Sequence, residues 1–229
     1  MAKVVEGAET RTVIAGDTVT QTVHERVSSG AVRRRDRFER LAGAAPLHTA
    51  RNGRVRSYPW RGEDLIILVE RLGPSVTPED VRTWCSELCR ACAELHSRGI
   101  VHGDIKPDNV CVHPRTGDVA LIDFGAAMRI ADEGMEWLRG RDPRRAENAI
   151  VGTDNYTVPR KRAKQPVDID YYATGRTIAA LQGALPARAR DGELCRIGRE
   201  LEACGERASA AWQELAALVP RGSALGVAV

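Results

Sequence analysis

Two patterns of hydrophobic positions divide the chain at Gly73-Pro74. In residues 3–27, Val, Thr and Ile alternate with polar residues between breaks at Gly7 and Gly16, which predicts short antiparallel strands. Beyond Gly73, apolar residues return every three or four positions, which predicts helices. The chain therefore combines a small β-rich part with a larger helical part.

Three segments complete the first part of the chain. Residues 31–43, "AVRRRDRFERLAG", have helical composition and end at a glycine, which predicts a helix. Residues 53–60, "GRVRSYPW", and 64–73, "DLIILVERLG", are predicted as strands, and the second is apolar enough to be buried on both faces. The arginines at 33–35 are interpreted as a solvated basic surface, with a site for a phosphate-rich partner as the alternative.

A long helix opens the second part of the chain. Thr77 is a suitable N-cap, Pro78 suits the first turn, and Asp80 stands three residues after the cap. Before Gly99 ends the helix, apolar residues recur at helical spacing, at Val81, Trp84, Cys85, Leu88, Cys92 and Leu95. Further helical patterns follow around residues 171–181, 193–204 and 208–219.

Bulk composition places the chain among globular proteins and narrows its compartment. With 229 residues, 43% of them hydrophobic and 28% charged, it is long enough for one large domain or two small lobes. No apolar run approaches the ~18 residues that a membrane span needs, and "MAKVVEGAET" lacks the layout of a secretory signal. We therefore expect an intracellular protein without a membrane partner.

Cysteine usage and charge agree with that compartment. None of the six cysteines sits in a paired C-x-x-C arrangement with histidine, so neither disulfides nor a metal are predicted for them. The net charge of +3 does not by itself indicate a nucleic-acid partner. The run "RKRAK", residues 160–164, is interpreted as solvated surface, with a nuclear import signal as the alternative, which leaves the cytoplasm or the nucleus.

The stretch "VHGDIKPDNVCVHPRTGDVALIDFG", residues 101–125, concentrates the candidate chemistry. Phosphoryl transfer from a nucleotide needs oxygen ligands for Mg²⁺, a base near the incoming hydroxyl and a cation on the migrating phosphate. Asp104, in a loop after an apolar strand end, could accept the hydroxyl proton, and Lys106, two residues on, would point the same way. Asn109 opens the next strand, and the hairpin turn "HPRTGD" is expected to bring Asp123 back beside it.

The motif "HGDIKPDN" resembles the catalytic loop of the eukaryotic-type Ser/Thr protein kinase family, and "DFG" resembles that family's metal-binding turn. The resemblance implies that Asp104 is the catalytic base and that Lys106 contacts the phosphate. It also implies that Asn109 and Asp123 are ligands of Mg²⁺, and that ATP and a protein substrate are the partners.

Motifs on both sides extend the resemblance. The segment "GTDNYTVP", residues 152–159, resembles the loop that seats the protein substrate, and Thr153 would bridge the base and the lysine. The segment "DYYATG" resembles the start of the long central helix, whose Asp170 would clamp the catalytic-loop backbone, and "LVERL" resembles the hinge that binds adenine. The resemblance also implies nucleotide contacts by Val69, Glu70, Leu72 and Cys111, and structural roles for His102, Phe124 and Gly125.

The fold that the resemblance implies is an α+β fold with two lobes that together form one kinase-like domain. A reduced, β-rich N-lobe with the hinge would span residues 1–72. A larger, mainly helical C-lobe with the catalytic loop and the activation segment would span residues 73–229. The brevity of the chain, its arginine bias, "DFGAA" and "GTDNYTVP" also faintly resemble kinases of large DNA viruses such as herpesviruses.

Two features of the family are missing from the first part of the chain. The phosphate-covering loop G-x-G-x-x-G is absent because, with Gly7 as its first glycine, Glu9 and Thr12 occupy the other two places. The lysine of the third strand is missing too, since "TVTQTVHERV" offers Gln21 or Thr22 at its position.

Lys3 is the only lysine before Lys106, and we prefer it as the nucleotide-binding cation because a phosphate needs a positive charge. In that register "MAKV" is the third strand, the first two strands are missing, and Glu25 is the acid on the following helix. In the other register Glu39 is that acid, at a better distance from the hinge.

We therefore expect a divergent, compact Ser/Thr protein kinase that transfers the γ-phosphate of ATP to protein hydroxyls with Mg²⁺. One alternative is a pseudokinase that keeps the fold and holds protein partners. Another is a small-molecule phosphotransferase, which shares "HGD" and an asparagine five residues after the aspartate. Lys106-Pro107 and the substrate-seating loop argue against the latter, and the oligomeric state stays open.

Overall fold

The computed structural model describes residues 2–6, 9–139, 152–159 and 161–219. Gly7 and Arg160, which figure in the sequence analysis, lie outside the described residues. The chain forms two compact units. Unit 1 comprises Met1–Arg61 together with Asp123–Gly125, and unit 2 comprises Gly62–Ile122 together with Ala126–Val229.

Unit 1 is built on one antiparallel sheet of five strands in the order β1-β2-β3-β5-β4. The strands are β1 Lys3–Glu6, β2 Thr10–Ala15, β3 Thr18–Val23, β4 His48–Ala50 and β5 Val55–Pro59. Helix α1, Ser29–Leu41, follows β3, and its N-cap Ser28 accepts a hydrogen bond from Ala31 N at 3.1 Å. The predicted strands in residues 3–27 and 53–60 and the predicted helix in residues 31–43 are confirmed.

The strand order decides between the two registers that the missing lysine left open. Lys3 lies on the first strand, opposite Ile14 of β2, and two strands precede β3. The register that makes "MAKV" the third strand is therefore wrong. The choice of Lys3 as nucleotide-binding cation depended on that register and is wrong as well. Glu39 lies on α1, as the other register requires, whereas Glu25 precedes the helix.

Unit 2 holds two small antiparallel sheets, β6-β8-β9 and β7-β10, and six helices among its described residues. The strands are β6 Glu63–Asp64, β7 Ile100–Val101, β8 Val110–Val112, β9 Val119–Leu121 and β10 Met128–Arg129. The helices are α2 Leu65–Leu72, α3 Pro78–Ser97, α4 Met135–Leu138, α5 Asp168–Ala184, α6 Gly192–Ala203 and α7 Glu206–Ala217. The four helical patterns predicted after Gly73 are confirmed.

Helix α3 packs against α7 in unit 2. Thr77 and Asp80 form a reciprocal capping box at its start, in which Asp80 N donates to Thr77 Oγ1 and Thr77 N donates to Asp80 Oδ2. All its predicted apolar positions are buried. The Ser86 hydroxyl donates to Leu215 O at 2.9 Å, which ties α3 to α7.

The strand predicted over residues 64–73 is wrong, because Leu65–Leu72 is helix α2. An apolar run of this length suits a strand or a short helix, and here the helical spacing of Leu65, Leu68 and Val69 places them on one buried face. The hinge assignment rests on that strand, so Val69, Glu70 and Leu72 are helical residues rather than an extended adenine-binding edge. The first change from unit 1 to unit 2 along the chain falls between Arg61 and Gly62.

In the part of the chain that the structure describes, no helix combines the length and the apolar character needed to cross a membrane.

Candidate active site

The candidate catalytic loop follows β7 in unit 2 and is anchored by one buried carboxylate. Asp170, in the first turn of α5, accepts hydrogen bonds from His102 N at 2.8 Å and from Gly103 N at 2.9 Å. Its other partner is the His96 imidazole on α3, at 2.9 Å. Burial acts to raise the pKa of Asp170, but the His96 hydrogen bond and the neighbouring histidines and Gly103 N outweigh it, and the pKa lies below its ordinary value.

Asp104 stands directly after this anchored backbone, and its carboxylate is 15% exposed. Its Oδ2 accepts a hydrogen bond from Asn109 Nδ2 at 3.0 Å and lies 3.8 Å from Lys106 Nζ. Its Oδ1 is buried, and none of the described residues donates a hydrogen bond to it. One oxygen is thus held in place while the other keeps its acceptor capacity, which suits a group that must receive a proton.

Asn109 closes the loop back on itself. Its amide nitrogen donates to the backbone oxygen of Asp104 at 2.8 Å as well as to the carboxylate. Ile122 N donates to Asn109 O at 3.0 Å, and His102 Nε2 is 3.0 Å from Ile122 O. The loop is therefore fixed against the end of β9, which pairs with β8 through the predicted hairpin.

Lys106 connects the loop to the segment after the undescribed residues 140–151. Its ammonium donates to Thr153 Oγ1 at 3.0 Å, and the Thr157 hydroxyl donates to Thr153 O at 3.1 Å. Gly152 allows this approach, since its φ is +75° and a Cβ there would lie 2.9 Å from Gly103 O and 3.6 Å from Asp104 Oδ1. The structure thus brings together Asp104, Lys106 and Thr153, which the sequence analysis proposed as the catalytic set.

The predicted metal ligand Asp123 belongs to unit 1 and has a cationic partner there. Its Oδ1 lies 2.9 Å from Nη2 of Arg35 on α1 and accepts a hydrogen bond from Gly125 N at 3.2 Å. The same Arg35 nitrogen donates to Glu9 Oε2 at 3.3 Å. Phe124 is buried. Arg35 was interpreted from the sequence as solvated surface, and that interpretation is wrong because its side chain is only 10% exposed.

Glu39 also has an arginine partner, on the strand next to β3. Arg56 of β5 is completely buried and lies 3.2 Å from Glu39 Oε1, while the Tyr58 hydroxyl donates to the same carboxylate at 3.0 Å. Of the two candidates for the expected lysine position, Gln21 stands directly opposite Arg56 in the sheet and Thr22 stands opposite Val55. Cross-strand partners share a face, and the cation that pairs with Glu39 lies on β5, the strand next to β3. Burial, opposed by Arg56, raises the pKa of Glu39.

Sequence reasoning missed both arginines because neither stands at the family's lysine position. The usable signal was the spacing of four between Arg35 and Glu39, which puts both on one face of α1.

Cys111, the predicted adenine contact, lies on β8 opposite Asp64, where burial raises its pKa to about 12. Its thiol donates to Asp64 Oδ1 at 3.7 Å, and the raised pKa keeps it protonated at neutral pH.

The predicted metal ligands can be tested one at a time by their donor chemistry. Asn109 uses its amide hydrogens on Asp104, so its carbonyl oxygen is the group it has to offer a cation. Asp123 already holds a positive group, the Arg35 guanidinium, against its carboxylate. Amide and carboxylate oxygens are the ligands that Mg²⁺ takes in proteins, so both residues fit this ion.

Comparison with known proteins identifies the family. Residues 59–215, more than half of the chain, match the model of the protein kinase domain. The chain therefore belongs to the protein kinase domain family, and its β-sheet unit and mainly helical unit confirm the predicted α+β kinase fold. The five-stranded sheet of unit 1 lies almost entirely before the matched residues.

Several relatives are serine/threonine kinases. A probable serine/threonine-protein kinase of Corynebacterium efficiens is 31% identical over 127 residues, which are 55% of this chain and 18% of the relative. Serine/threonine-protein kinase Pkn1 of Myxococcus xanthus is 40% identical over 108 residues, 44% of this chain and 14% of the relative. Serine/threonine-protein kinase mos of Patiria pectinifera is 32% identical over 121 residues, 52% of this chain and 33% of the relative. The chain thus matches no more than a third of the length of each of these three.

Proposed function

We propose that this protein is an active serine/threonine protein kinase, which transfers the γ-phosphate of ATP to a hydroxyl of a protein substrate with Mg²⁺. The observation that carries the proposal is the Asp104 carboxylate, with Oδ2 held by Asn109 and Oδ1 buried without a donor among the described residues. A carboxylate in this state can accept the hydroxyl proton as the oxygen attacks phosphorus.

Two further side chains support the same step. Lys106, 3.8 Å from Asp104 Oδ2, brings positive charge to the place where negative charge develops on the transferred phosphate. The hydrogen bond from Lys106 to Thr153 fixes the ammonium. Thr153 therefore positions the lysine and does not itself react. Asn109 and Asp123 are the proposed Mg²⁺ ligands. The ion, when bound, supplies charge neutralisation to the phosphates.

Phosphate transfer from radiolabelled ATP tests the proposal, with autophosphorylation and a generic acceptor protein as readouts. Asp104→Asn keeps the shape of the side chain but cannot take up the proton, so transfer should fall by about 10² or more. Asp108→Asn is the matched control, because Asp108 lies in the same loop and is exposed. It should transfer phosphate at the wild-type rate.

The Arg35–Asp123 ion pair favours one second candidate, a pseudokinase that binds partners without catalysis. Nucleotide binding separates the two, since a ligand at 100 times its Kd should stabilise the fold by ~2.7 kcal/mol. Stabilisation by ATP and Mg²⁺ without any transfer would support the pseudokinase. The absence of both stabilisation and transfer would overturn the kinase proposal. Phosphorylation of a sugar or an aminoglycoside but of no protein would instead indicate a small-molecule phosphotransferase.

A further inference from the structure

An arginine in unit 1 lies beside a candidate ligand of the nucleotide's metal. Nη2 of Arg35 contacts both Asp123 Oδ1, at 2.9 Å, and Glu9 Oε2, at 3.3 Å. The arginine side chain is 10% exposed, whereas those of Asp123 and Glu9 are 43% and 60% exposed. A ligand can therefore reach the two carboxylates, whereas the guanidinium between them is largely covered.

The other cations that the sequence analysis and the sheet suggest for this role do not fit it. Arg56 is completely buried, and its guanidinium is committed to Glu39, to Gly53 O at 2.6 Å and to Val32 O at 3.2 Å. Moving it would leave a buried carboxylate unpaired, which is costly. Lys3 is on β1, two strands away from β3. Neither residue can serve a phosphate as readily as Arg35.

We infer that Arg35 is the nucleotide-phosphate contact of this protein, in the role that the absent strand-three lysine leaves open, and that Asp123 restrains it until a divalent cation arrives. The inference rests on the proposed function, because it concerns the nucleotide of the same reaction. It adds a positioning residue on a helix where the sequence indicated only basic surface.

The net charge of this cluster explains why Arg35 must be released from the carboxylates before it can bind a phosphate. Arg35 with Glu9 and Asp123 sums to one negative charge, which repels a phosphate as long as both carboxylates hold the guanidinium. Asp123 would use the same carboxylate to hold Mg²⁺ as it uses to hold the guanidinium, so Arg35 would regain hydrogen-bond donors when the ion is bound. A planar guanidinium then matches two phosphate oxygens at once.

Calorimetric titration of the full chain with ADP and with adenosine, each with and without Mg²⁺, tests the inference. Arg35→Met should weaken ADP binding in Mg²⁺ by about tenfold or more, since it removes a charged hydrogen bond. Adenosine binding should not change, because adenosine has no phosphate. Arg33→Met, an exposed arginine on the same helix, is the matched control and should bind both ligands like the wild type.

A second variant tests directly whether Asp123 restrains Arg35. Its result does not depend on whether Arg35→Met folds. Asp123→Asn removes the charge that holds Arg35, so it should bind ADP several-fold more tightly than the wild type without Mg²⁺ and more weakly with it. Unchanged ADP affinity in Arg35→Met, or no gain of metal-free affinity in Asp123→Asn, would overturn the inference alone. A wild-type chain that binds neither ADP nor adenosine would overturn the proposed function together with it.

Discussion

At the scale of single residues, Asp170 sets the position of the proposed base without touching it. Two consecutive backbone N–H groups, of His102 and Gly103, donate to its carboxylate, and Asp104 is the next residue in the chain. The base is therefore positioned by its own backbone, while Asn109 holds one carboxylate oxygen. The other oxygen of Asp104 has no donor among the described residues, as its proposed role of proton acceptor requires.

Replacement of Asp170 by asparagine tests this anchor. An amide offers one oxygen instead of two and turns an N–H₂ group toward donors, so Asp170→Asn should lower the free energy of unfolding by about 2 kcal/mol at pH 7. Urea unfolding measures the loss. Asp132→Asn, at an exposed aspartate of unit 2, should leave the unfolding free energy unchanged.

The pH dependence of that loss has a definite sign. Because the folded-state pKa of Asp170 lies below its ordinary value of 3.8, the carboxylate stabilises the fold fully above pH 3.8. The stabilisation disappears as the pH falls through the lowered pKa. The difference between wild type and Asp170→Asn should therefore shrink as the pH falls below 3.8, and a difference that grows below that pH would contradict the assignment.

At the scale of elements, α1 and the sheet of unit 1 carry a rearranged set of charges. Arg56 enters from β5 to pair with Glu39, and Arg35, one helical turn before Glu39, reaches Asp123. The helix thus presents an arginine and a glutamate on one buried face, beside Val32 and Phe38. Arg56 makes the structural ion pair with Glu39, and by our inference Arg35 contacts the phosphate.

Removal of Arg56 should be severe because it strands a buried carboxylate. Arg56→Met should destabilise the fold by about 3–5 kcal/mol, as breaking one partner of a buried ion pair does. The double variant Arg56→Met with Glu39→Leu should recover most of that loss, since apolar replacement of both partners is often neutral.

An exposed pair in the same sheet is the control for this prediction. Arg11 and Glu6 are 3.0 Å apart and both exposed, so Arg11→Met should cause no measurable change in the urea midpoint. Equal changes in stability for the Arg56 and Arg11 substitutions would show that the buried Arg56–Glu39 pair stabilises the fold no more than an exposed pair does.

At the scale of the whole molecule, the sequence predicts unit 2 better than unit 1. Asp104, Lys106 and Asn109 lie within six consecutive residues, so one short loop suffices to assemble them. Thr153 needed the family resemblance, because its contact spans 47 positions. In unit 1 the functional charges sit on α1 and β5, and only strand order and helix phase, which sequence patterns leave open, reveal their partners.

Gly62, the first residue of unit 2, packs directly against the backbone of β8. Its φ is +126°, and a Cβ there would lie 2.1 Å from Val112 O, within the backbone of β8. The glycine lets β6 pair with β8 directly after the chain enters the unit. Any side chain must push these strands apart or force the backbone out of this conformation.

Gly62→Ala should therefore destabilise unit 2 by about 2 kcal/mol or more, from backbone strain and lost pairing. Tryptophan fluorescence during urea unfolding is a suitable probe, since unit 2 contains Trp84, Trp137 and Trp212. Gly183→Ala is the matched control, because Gly183 is exposed on α5 and a Cβ there meets nothing within 4 Å. That substitution should leave stability unchanged or raise it by up to ~1 kcal/mol. Equal unfolding midpoints for the two variants would mean that β6 does not need its pairing with β8 for unit 2 to fold.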